Sequence, residues 1–245
     1  NWRENMEELK IPSRLKNNIQ VFIQKLKDIY QQDLISAILY GSAVSGEFVD
    51  KHSNLNLLVV LKNTDLENLK KAARVINKFN MINPLFLNED YIVNSTDIFP
   101  IEFLDMQENY LVLYGKDVLK GINIDIRNLR FQCEQELKSK LINLRQLYLR
   151  INKDRTALRN SFFKSFTSIL HILRNVLRLK GKKPAYKKED ILKELVSEFQ
   201  IDMSIWGKIL AAKVKQIKLN NKDTEQLFIN FIRELEKIVD IVDKL

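Results

Sequence analysis

Apolar and polar positions follow two different rhythms along this chain. Up to Gly115, short apolar runs stand between polar and turn-forming residues, whereas beyond Gly121 apolar residues recur every three or four positions. In the first part, Leu15, Ile19, Phe22, Ile23, Leu26 and Ile29 lie at helical spacing and predict an amphipathic helix to about Tyr30, with Ser13 as its N-cap. The run Ile35–Tyr40 reads as a buried strand, and Asn54–Val60 reads as a second one. Asn63, Thr64 and Asp65 offer capping groups for a helix from Leu66 to about Phe79, after which Ile82–Leu87 returns as a strand. Pro84 cannot donate to a ladder, which suggests that this strand lies at an edge or begins there. Residues 89–96 read as a short helix or loop, and Pro100–Met106 and Tyr110–Gly115 as two further strands. The second part predicts five helices, over 124–151, 155–180, 187–199, 203–218 and 224–245. The fold class this implies is α+β: a mixed sheet of about five strands in residues 1–120, followed by a helical bundle in residues 121–245, with the boundary near 116–123.

At 245 residues with 45% hydrophobic content, the chain has ample material for a core in each part. Its net charge of +9 is unevenly placed. Residues 1–120 carry 14 Lys and Arg against 16 Asp and Glu, while residues 121–245 carry 26 against 15. A basic second half can attract nucleotide phosphates, nucleic acid or an acidic protein, or it can simply be a solvated helix surface. Cys133 is the only cysteine, so no disulfide closes within the chain. The first thirty residues lack the apolar core of a signal peptide and no apolar run approaches eighteen residues, which predicts a cytoplasmic protein with no membrane span.

The chemistry is concentrated where the first strand stops. Gly41-Ser42 permits a tight turn into a helix whose leading N–H groups can face a phosphate, and Gly46 closes that short segment. Twelve residues after Ser42 comes Asn54-Leu55-Asn56-Leu57, preceded by Ser53, and a strand's period of two puts Asn54 and Asn56 on one face. The arrangement of Gly-Ser, a gap of about a dozen residues, then polar-apolar-polar-apolar on a strand resembles the signature of the polymerase-beta-like nucleotidyltransferase superfamily. In that superfamily the two polar positions are carboxylates that share a pair of divalent ions. The resemblance covers roughly residues 22–115, and the helical second half looks similar to the substrate-binding helical domains of kanamycin-type nucleotidyltransferases.

The resemblance implies an NTP, ATP above all, lying along Gly41, Ser42, Gly46 and Ser53, with Mg²⁺ at positions 54 and 56 and a third carboxylate on a later strand, for which Glu102 between Ile101 and Phe103 is the best match. Here the paired positions are amides. Mg²⁺ is a hard cation usually held by anionic oxygens, and a neutral amide oxygen supplies a dipole in place of a charge. The expectation is therefore a catalytically impaired member that binds a nucleotide or a protein partner. Its alternatives are an active Mg²⁺-dependent transferase of a nucleoside monophosphate to a hydroxyl on a small molecule, protein or RNA, and a basic nucleic-acid-binding module. Glu47, Asp50 and His52 are candidates for a relocated metal site. Arg174, Arg178, Lys180, Lys182 and Lys183 form either a basic wall or a charged helix end, and His171 reads as a core histidine. Neither Arg155 nor Arg159 stands four to six residues before His171, which disfavours a helical ribonuclease.

Overall fold

The computed structural model describes residues 6–48, 53–151, 153–214, 217 and 219–245, and divides the chain into one compact unit ending at Ile124 and a second beginning at Asp125. In the first unit, helix α1 (Ser13–Tyr30) leads through a single 3₁₀ turn into β1 (Leu34–Tyr40). Then come α2 (Ser42–Ser45), β2 (Leu55–Leu61), α3 (Leu66–Lys70), α4 (Ala73–Ile76), β3 (Ile82–Leu87), α5 (Glu89–Asn94), α6 (Pro100–Glu108) and β4 (Tyr110–Gly115). The strands form one mixed sheet in the order β3-β2-β1-β4. β1 runs antiparallel to both β2 and β4, and β3 runs parallel to β2.

Both faces of the sheet are covered. Leu55, Leu57, Val59 and Leu61 of β2 alternate onto one face with Ala37 and Leu39, where they meet Leu15, Ile19, Phe22, Ile23 and Leu26 of α1. Ile38, Leu58 and Val60 face the other way, against Ile92, Phe103, Met106 and Leu119. The long apolar runs of β1 and β2 are thus what a strand buried on both sides requires.

Three expectations are corrected here. Ser13 does not cap α1: Pro12 holds the cap position and Ser13 is the first helical residue. The single helix expected over 66–79 is two short ones, the first capped by Asp65, which accepts from the Asn68 N–H at 2.7 Å. Residues 100–106 are helical, which leaves four strands among the described residues. Ile101 and Phe103 suggested a period of two, but Pro100 sits in the first turn of α6, where its missing N–H costs nothing. The buried residues are Pro100, Ile101, Phe103 and Met106, and three of them, Pro100, Phe103 and Met106, recur at the three-residue spacing of one helix face.

The second unit consists of α7 (Ile126–Ile151), α8 (Arg155–Leu179), α9 (Lys188–Phe199), α10 (Met203–Lys213) and α11 (Asn221–Val242). Its helix starts are set by side chains: Asp154 accepts from the Thr156 and Ala157 N–H groups, Asp202 from Ser204, and Asn220 from Asp223. The core centres on aromatic rings. Phe231 lies 4.9 Å from Trp206 and 5.1 Å from Phe162, centroid to centroid, and Phe166 joins Trp206 at 5.8 Å. Such pairs add to the burial that each ring supplies. Cys133 is buried in this unit. No helix among the described residues is long and apolar enough to cross a membrane.

The α8 C-terminus explains most of the basic cluster in structural terms. Arg174 is only 5% exposed, donates from Nε to the Ala185 carbonyl at 2.9 Å and lies 4.2 Å over the Tyr186 ring, so it fastens the turn after α8. Arg178 donates to Asn175, and Lys182 pairs with Glu198 of α9 at 2.5 Å. His171, expected in the core, is exposed, because it falls on the line of Lys164 and Thr167 and outside the buried stripe of Phe162, Phe166, Ile169 and Leu173.

The ring cluster predicts a stability contrast. Phe231→Ala should cost about 3–5 kcal/mol by emptying the centre of the second unit, whereas Ile142→Ala, at a site 52% exposed, should change stability by less than about 0.5 kcal/mol. Guanidinium unfolding monitored by circular dichroism measures both.

Candidate functional site

The site is built at the end of β1, where the backbone must turn out of the sheet. Gly41 has φ 79° and ψ −144°, a region essentially reserved for glycine, and its carbonyl accepts from the Val44 and Ser45 N–H groups at 2.9 and 3.0 Å. That closes the single turn of α2, which ends at Gly46 in the left-handed region. Ser42 is the first residue of the turn, and the cap position belongs to Gly41. The N–H groups of Ser42 and Ala43 precede the intrahelical ladder. Gly41 also donates to the Asn109 carbonyl at 3.0 Å, which ties the turn to the start of β4.

Sheet register then determines what surrounds the turn. Tyr40 stands opposite Asn56 on β2 and opposite Tyr110 on β4, and Asn56 stands beside Asn83 on the parallel strand β3. A rung Asn83–Asn56–Tyr40–Tyr110 therefore crosses all four strands. Asn56 is two positions before Leu58 and shares its face, the face of Ile38, Val60 and Phe103. Asn83 Nδ2 donates to Asn56 Oδ1 at 3.5 Å, and Asn56 Nδ2 lies 3.4 Å from where a Cβ on Gly41 would stand. The second asparagine thus lies beside the turn.

The rung is uncharged. Burial raises the Tyr40 hydroxyl above its ordinary pKa, and burial also raises that of Tyr110, whose hydroxyl further donates to Asp117 Oδ2 at 3.0 Å. Both phenols stay protonated near neutrality.

The remaining sequence candidates are dispersed. β2 begins at Leu55, so Asn54 lies one residue outside the strand and is exposed, while Ser53 is half-buried just before it. The Gly46 Cα faces Lys10, whose Cδ is 3.8 Å from the position of a Cβ there. Glu102 is not on a strand: it occupies the first turn of α6 and is exposed. The strand parallel to β2 is β3, and at the Asn56 level it carries Asn83. Glu47 is half-buried and its N–H donates to Ser45 Oγ at 3.4 Å, while Asp50 and His52 lie outside the described residues. Asn83, Tyr40 and Tyr110 were not singled out from the sequence. The polar residue between Ile82 and Pro84 was the available signal for Asn83, but a parallel pairing partner cannot be read from the pattern of either strand.

Mg²⁺, the ion the resemblance implies, is poorly matched by this donor set. Asn54, Asn56 and Asn83 contribute amides, and among the described residues no three His, Cys, Asp or Glu side chains come together to hold a metal ion. Neutral amide oxygens do not replace the anionic ligands on which a hard divalent cation depends.

Gly41→Ala should destabilise the protein by about 1–3 kcal/mol, because a residue with a Cβ is strained at this φ and ψ. Urea unfolding of the variant against the unmodified protein measures the loss.

No family model and no curated protein matches the chain. Among solved structures it is similar to the spectinomycin adenyltransferase AAD(9) from Enterococcus faecialis, whose crystal structure contains ATP and spectinomycin. The similarity has a TM-score of 0.57 at 15% sequence identity and covers 89% of this chain and 99% of that one. The chain thus has a nucleotidyltransferase-like α+β fold, a mixed sheet with a following set of helices, and the likeness extends through both units.

Proposed function

We propose that this protein is a catalytically impaired nucleotidyltransferase-fold protein that binds a nucleotide at the turn formed by Gly41 and Ser42. The observation that carries the reading is the uncharged rung: Asn56 lies beside that turn, and its neighbour on the adjoining strand is a further asparagine, Asn83. In a two-metal transfer the ions activate the attacking oxygen and neutralise the leaving phosphate. The residues beside this turn offer little to hold such ions, so the chemistry is reduced while the geometry that would seat a phosphate is kept.

Several features support the nucleotide. Gly41 leaves the backbone open to close approach, α2 presents the Ser42 and Ala43 N–H groups, and the similar adenyltransferase was crystallised with ATP. Ser42 and Ser53 are assigned to the phosphate-bearing part of the ligand, with Gly46 allowing the turn to close. Asn54 and Asn56 hold the positions of the metal-binding pair, and Glu102, on the exposed side of α6, is the acidic residue that a transferase reading would have to recruit. The basic second unit is read mainly as a solvated and internally paired surface, since Arg174, Arg178 and Lys182 are engaged within it.

Incubation with labelled NTP and Mg²⁺ or Mn²⁺ separates the readings. The unmodified protein should transfer no label to itself or to a panel of hydroxyl acceptors, and the Asn54→Asp/Asn56→Asp double variant should gain metal-dependent transfer. Transfer by the unmodified protein at rates typical of such enzymes, on the order of 1 s⁻¹ or more, would overturn the impaired reading.

A further inference from the structure

Polar side chains tie α7 to α11 in pairs along their seam. Arg145 Nη2 lies 2.6 Å from Glu236 Oε1, Lys138 Nζ lies 3.1 Å from Asp243 Oδ1, and the Tyr148 hydroxyl donates to Glu225 Oε1 at 2.7 Å. Arg155 holds the second oxygen of Glu225 at 2.5 Å. Arg233 is the exception: it stands exposed on α11 and has no carboxylate partner among the described residues. Beside it, between the Arg145–Glu236 and Tyr148–Glu225 ties, the two helices leave an open cavity of about 430 Å³. Its body is apolar. Phe228, buried, stacks on the Tyr148 ring at 5.5 Å and 12°, and Ile229 and Ile232 are only half-buried there. Leu149, on the α7 side of the same cavity, is 76% exposed.

We infer that this cavity binds a small amphiphilic anion, an alkyl or aryl carboxylate, whose apolar body covers Leu149, Ile229 and Ile232 and whose carboxylate pairs with Arg233. The volume is that of a small-molecule site. The apolar body is favoured because it removes three aliphatic side chains from water together with its own surface. Charge selects the head. The rim carries Arg145, Arg233 and Glu236, and Glu236 is already engaged by Arg145, which leaves one uncompensated positive charge at the mouth. A cationic head meets repulsion there, and a neutral one leaves the guanidinium unused, whereas a carboxylate accepts from two of its N–H groups at once. The site is built from the second unit alone, so it stands or falls independently of the nucleotide reading.

Fluorescence titration of the full chain with anilinonaphthalene sulfonate, and displacement of that probe by octanoate, decanoate, decanol and decyltrimethylammonium, tests this. The probe should bind saturably and decanoate should displace it more effectively than decanol or the cation. Each methylene between octanoate and decanoate should tighten binding about three- to fourfold. Arg233→Gln should weaken decanoate by roughly tenfold at low salt, and by less as salt rises, while leaving decanol unchanged. Arg233→Lys, which keeps the charge, should lose less than Arg233→Gln. Ile232→Trp, which fills the cavity, should abolish displacement by both decanoate and decanol. Cooperative thermal melts check that each variant folds. Decanol matching decanoate, or Arg233→Gln leaving decanoate unaffected, would overturn the anion-binding role, and absence of saturable binding would remove the site. A concentration-dependent dimer in sedimentation that Ile232→Trp dissociates would assign the cavity to a second copy of the chain and likewise overturn the inference.

Discussion

Everything in the first unit is referred to β1. It pairs on both sides, with β2 and with β4, and its residues alternate between two buried faces, Ala37 and Leu39 on one and Ile38 on the other. A strand so placed cannot slip by one residue without exchanging the contents of two cores. Register is therefore held firmly, and the position of Gly41 follows from it. Because Tyr40 is locked opposite Asn56 and Tyr110, the turn that follows it emerges beside the amide of Asn56 and is tied through Asn109 to the start of β4. The geometry of the candidate site is a by-product of core packing one layer away.

The second unit obtains its order differently. Its helices carry long apolar stripes that meet around Phe162, Phe166, Trp206 and Phe231, while a buried arginine fixes the turn after α8 by binding a carbonyl and stacking on a tyrosine. A surplus of positive residues in this half does not translate into an equally positive free surface, since part of it is bound up in such contacts. Net charge counted along a sequence overstates the field a partner would meet.

How much could be read beforehand varied with the length of each periodic signal. The five long helices of the second unit were legible because a three-to-four-residue period sustained over eleven to twenty-six residues has no competing interpretation. β1, β2 and β3 were legible as bounded apolar runs, and Pro84 correctly indicated an edge. The segment 100–108 was not, because Ile101 and Phe103 satisfy a period of two over too short a stretch and only the packing of Phe103 and Met106 on the sheet decides for a helix. His171 was misplaced because adjacent apolar residues on a helix do not imply a shared face. At the site, Gly41 and the asparagine pair were visible, and the proximity of Gly41 and Asn56 was anticipated only as a common location. Asn83 was invisible as a partner, since β3 reaches β2 through a parallel crossover whose register no local pattern encodes.

The asparagine rung also bears on the energetics of the fold. Carboxylates placed side by side on neighbouring strands repel one another, and a sheet that carries them is strained at that end until a counter-ion arrives. Asn83 and Asn56 attract where such charges would repel, one amide donating to the other. At this end of the sheet the rung therefore carries an amide-to-amide contact where a pair of carboxylates would carry like-charge repulsion.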